Sequence, residues 1–107
     1  LMAQFNACNQ LIATNEAIRE ILLKEGELSA GEAEQLYSYV DMYCNAWGTT
    51  QMAFDQGLVD QALWAGAVKD VEVQMKRWPR MRQPAKRWLS NYPDLGDAQI
   101  FKAIDQD

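Results

Sequence analysis

The sequence predicts an all-α domain: an antiparallel helical bundle of four main helices plus short C-terminal helices. Three observations carry that prediction. Apolar side chains recur at three- and four-residue steps through most of the chain. No segment sustains the period-two alternation of a half-buried strand. The connections between periodic segments are short, which favours antiparallel neighbours. At 107 residues the chain fits a single domain covering 1–107. A chain of that length buries roughly two-thirds of its unfolded surface, enough for one core without metals or disulfides.

The first segment, 2–13, carries Met2, Phe5, Cys8, Leu11 and Ile12 on one helical stripe. Asn15 suits an N-cap, and Glu16 in the following turn suits the helix dipole, so a second helix is expected over 16–24. Gly26 ends it as a left-handed cap residue. Ser29 followed by Glu32 reads as a capping box opening a long helix over 30–56. Its stripe is Ala33, Leu36, Tyr37, Val40, Tyr43, Cys44, Trp47, Gln51 and Phe54. Gly48 alone weakens it, by about 1 kcal/mol relative to Ala, and points to close packing there. Gly57 ends this helix. Asp60 then caps a helix over 61–77 that buries Leu63, Trp64, Ala67, Val68, Val71, Met75 and Trp78.

Pro79 stops that helix, since its ring clashes in a helix interior and its nitrogen donates no hydrogen bond. Pro84 fits the first turn of a short helix over 84–91, and Asp97 caps a last one over 97–105. The 30–56 and 61–77 helices are expected to form a central hairpin, with the others covering its faces.

Several chemistries lack their residues. The chain has no histidine, which removes the commonest general acid or base and the commonest metal ligand. There is no glycine-rich phosphate loop, no calcium loop and no CxxC pair, so no cofactor and no metal site is expected. Cys8 and Cys44 read as two buried thiols, with a disulfide open to them only in an oxidising compartment. No run reaches the roughly 18 apolar residues of a membrane span. An enzyme built on Tyr37, Tyr43 or Asp70 would need a pocket gathering them. The expectation is a protein that is not an enzyme.

Charge is the one concentrated signal. The net charge is -5, yet residues 1–75 hold 11 acidic and 3 basic side chains while residues 76–87 hold 6 basic and none acidic. Within 76–88 those cations interleave with two indoles. The candidate binding residues are Arg77, Trp78, Arg80, Arg82, Lys86, Arg87 and Trp88. Guanidinium groups fork onto phosphates and carboxylates and stack on rings, so the segment suits a protein partner or an anionic membrane surface. The same residues also admit a structural reading. Cations favour a helix C-terminus, the rest can pair with the chain's own acidic helices, and the tryptophans can pack the corner onto the bundle. A nucleic-acid-associated regulator is the alternative use of 76–88, weakened by the acidic balance of the whole and the lack of a recognition motif.

One set of features goes further. It comprises the Asn15-Glu16 helix start, Leu28-Ser29 with Glu32, and Phe54-x-x-Gly57-Leu58-Val59-Asp60. Trp64, then Pro79, Arg82 and Trp88 ahead of Tyr92-Pro93, complete it. Over residues 15–88 it resembles an uncharacterised family of bacterial proteins in which a membrane helix near the N-terminus often precedes a small helical domain. The resemblance assigns no catalytic residue and implies a membrane anchor upstream; the function expected is a non-enzymatic helical interaction domain, the soluble part of a membrane-anchored bacterial protein with the domain in the cytoplasm. With Leu1 as the first residue and an opening that already reads as mid-helix, a segment upstream of Leu1 is expected. A homo-oligomer is open to the chain should the apolar stripe of 2–13 be exposed.

Overall fold

The computed structural model describes residues 16–96 and 98–105. The expected helix over 2–13, Cys8 and the Asp97 cap lie outside them. Among the described residues the chain is all-α, with no strand. Its helices are α1 (Glu16–Leu23), α2 (Ala30–Asp55), α3 (Gln61–Arg77), α4 (Arg82–Ser90) and α5 (Lys102–Asp105), with 3₁₀ turns at Pro79–Met81, Pro93–Leu95 and Gln99–Phe101.

Local chemistry sets the boundaries. The Ser29 hydroxyl accepts from the Glu32 amide at 3.1 Å, and the Glu32 carboxylate accepts from the Ser29 amide at 2.9 Å, so two of the amides that α2 leaves unpaired are satisfied. At its other end Gly57 takes φ +73°, open to a residue without a Cβ. The Gly57 amide reaches the Phe54 carbonyl at 3.0 Å, and the Leu58 amide reaches Ala53 at 2.8 Å. That pair of bonds is a Schellman motif. The Asp60 carboxylate then caps α3 by accepting from the Leu63 amide at 2.8 Å. Gly26, at φ +88°, turns the chain out of α1 as expected.

Trp78, held at φ -128° and ψ 78°, leaves the helical region because a proline follows. Pro79 opens a 3₁₀ turn that runs into α4, so the helix begins at Arg82, two residues before the expected start. The final segment also differs from a continuous helix over 97–105. It begins as a 3₁₀ turn at Gln99, with Ala98 offering no side-chain cap, and becomes α-helical at Lys102.

α2 is the axis, packed against α1, α3 and α4. Val40, Tyr43, Cys44 and Trp47 from α2 meet Val71 and Met75 from α3, Met81, Ala85 and Trp88 from the corner, and Ile100, Phe101 and Ile104 from the end of the chain. Ile18, Ile21 and Leu22 of α1 complete the core. The Trp47 indole donates to Asp70 at 2.8 Å, so a fully buried ring keeps its polar atom satisfied. Leu63 and Trp64, expected in the core, are only half-buried. There Trp64 stacks on Phe54 with ring centroids 4.6 Å apart and donates to Gln51 at 2.9 Å. No described helix is long and apolar enough to cross a membrane.

Candidate cationic site

The segment 76–88 closes one end of the bundle, where α3 hands over to α4. Its residues divide by what they touch. Trp78 and Trp88 are 9% and 6% exposed and belong to the core. The Trp88 indole donates to the Asn45 side chain at 3.0 Å, and its ring lies against Phe101 and Tyr92. It also sits over Gly48, where a Cβ would meet the ring at 3.0 Å. The expectation that these two indoles meet a partner is therefore corrected. Burying both rings removes from water a large apolar area that a surface position would leave hydrated.

Arg80 is likewise committed to the fold. Its Nε and Nη2 donate to the Lys24 carbonyl at 3.0 and 2.6 Å, and Nη2 also donates to the Gly26 carbonyl. One guanidinium thus ties off carbonyls just beyond the C-terminus of α1, where backbone acceptors lack helical partners and the dipole favours a cation. Arg87 lies over the Tyr37 ring, 3.7 Å from its centroid. Arg77 lies over Trp78 at 5.2 Å and is exposed. Lys76 is exposed as well, and Lys86 is half-buried. Arg82 is half-buried, with a buried Nε that meets no acceptor among the described residues.

None of the six cations forms an ion pair with a carboxylate among the described residues; the ion pairs there are Lys24–Glu32 at 2.8 Å and Lys69–Glu72 at 3.6 Å. The expected pairing with the chain's own acidic helices is not seen among the described residues. Carbonyls and rings take its place.

The residues weighed for acid-base chemistry sit apart in role. Tyr37 supports Arg87, Tyr43 is buried beside Trp47, and Asp70 accepts from Trp47 and Gln74. Burial pushes the Cys44 thiol above its ordinary range, and Asp41 adds to the effect. No group of His, Cys, Asp and Glu suited to a metal ion occurs among the described residues.

Gly48, which the sequence marked for close packing, lies under the Trp88 ring; Asn45 and the carbonyls of Lys24 and Gly26 complete the corner, and no sequence motif marked them. The partners of Asn45, Lys24 and Gly26 lie 43 to 56 residues away along the chain. In comparisons with family models, curated proteins and solved structures, the chain matches none.

Proposed function

We propose that this chain is a non-enzymatic helical interaction domain that docks on an anionic partner through the outer edge of the corner. Lys76, Arg77 and Lys86 form that edge, with Arg82 beside them. One observation carries the reading. A chain of net charge -5 gathers six cations in twelve residues and pairs none of them with its own carboxylates among the described residues. Positive charge that a fold leaves uncompensated is available to an outside anion and steers its approach.

The resemblance to bacterial proteins with an N-terminal membrane helix favours the soluble part of a tethered protein. Its cationic edge would then lie near an anionic leaflet or an acidic protein docked there. The burial of Trp78 and Trp88 weakens the nucleic-acid alternative, because single-strand binding uses exposed rings on which bases stack.

The test is the triple reversal Lys76→Glu, Arg77→Glu, Lys86→Glu, which leaves Arg80 and both tryptophans in place. Binding to anionic vesicles is expected to fall roughly a hundredfold, at about 1 kcal/mol per cation near a charged surface. An acidic protein captured by the wild type should be lost with it. Undiminished binding rejects the edge. Retention of nucleic acid at low salt that fades steeply as salt rises would support the alternative instead.

A further inference from the structure

We draw no further inference here: the strongest candidate, the groove that Leu28, Leu36 and Tyr37 near the start of α2 form with Pro79 and Pro84 of the corner, carries nothing, because its lining cation Arg80 is already held by the Lys24 and Gly26 carbonyls and nothing in the structure shows what covers it.

Discussion

The corner at 76–88 and the turn at 54–64 both join helices with tryptophan at the junction, yet they are built in opposite senses. At the corner the indoles are inside and the charges outside. Trp88 is buried, bonded to Asn45 and fitted over Gly48. At the turn the ring of Trp64 stays half exposed, and Leu58, the most exposed large apolar side chain among the described residues, stands at its edge. The difference teaches that aromatic density alone does not mark a contact surface. On the proposed reading, the better marker is a charged group with no internal counterion among the described residues, as at Lys76 and Arg77.

The sharpest way to break that comparison is to truncate both tryptophans. Trp88→Ala should lower stability by about 3–5 kcal/mol, as for a buried aromatic. Trp64→Ala should lower it by about 1–2 kcal/mol, losing part of its apolar area and one stacked pair. Denaturant unfolding of the two variants measures this. Equal losses would erase the distinction between the ends.

A second prediction splits the cations. Arg80→Ala removes the charged donors at the end of α1 and should reduce stability by about 1–2 kcal/mol. Arg77→Ala, at an exposed ring contact, should change it by about 0.5 kcal/mol. Hydrogen exchange in α1 should rise for the first variant alone, which sharpens the division between structural and free charge.

The smallest effect belongs to the cap of α2. The Lys24 ammonium, bonded to its carboxylate, and the Ser29 amide hold Glu32 at about 2, down from an ordinary 4.5. A depressed carboxyl stabilises the fold fully above 4.5, and the contribution disappears as pH falls through about 2. Midpoints for the wild type and Glu32→Gln should therefore differ at neutral pH and converge across that acid window. A constant gap would assign the effect to shape rather than charge.

The elements most legible in the sequence are those fixed by near neighbours. Ser29 with Glu32, Gly26, Gly57, Asp60 and Pro79 act over at most a few residues, so their types and spacing announce them. Among the described residues the helical stripes were also readable, because burial has the period of the helix. Pairings across the bundle were not. Arg80 with Lys24, Arg87 with Tyr37 and Trp88 with Asn45 depend on which faces meet, and periodicity says only that a face exists. The site was legible as a segment and illegible as a division of labour. Composition located six cations and two indoles; three-dimensional packing decided which of them were already engaged.

Gly48 has a consequence for how the helices align. Its missing side chain leaves a notch in α2, and the Trp88 ring fills it closely enough that an added methyl would meet the ring at 3.0 Å. A key that enters one keyway cannot slide. Shifting α4 along α2 by a turn would press the indole against a full side chain and empty the notch. One glycine thus fixes the register of a nine-residue helix too short to hold its place by length alone.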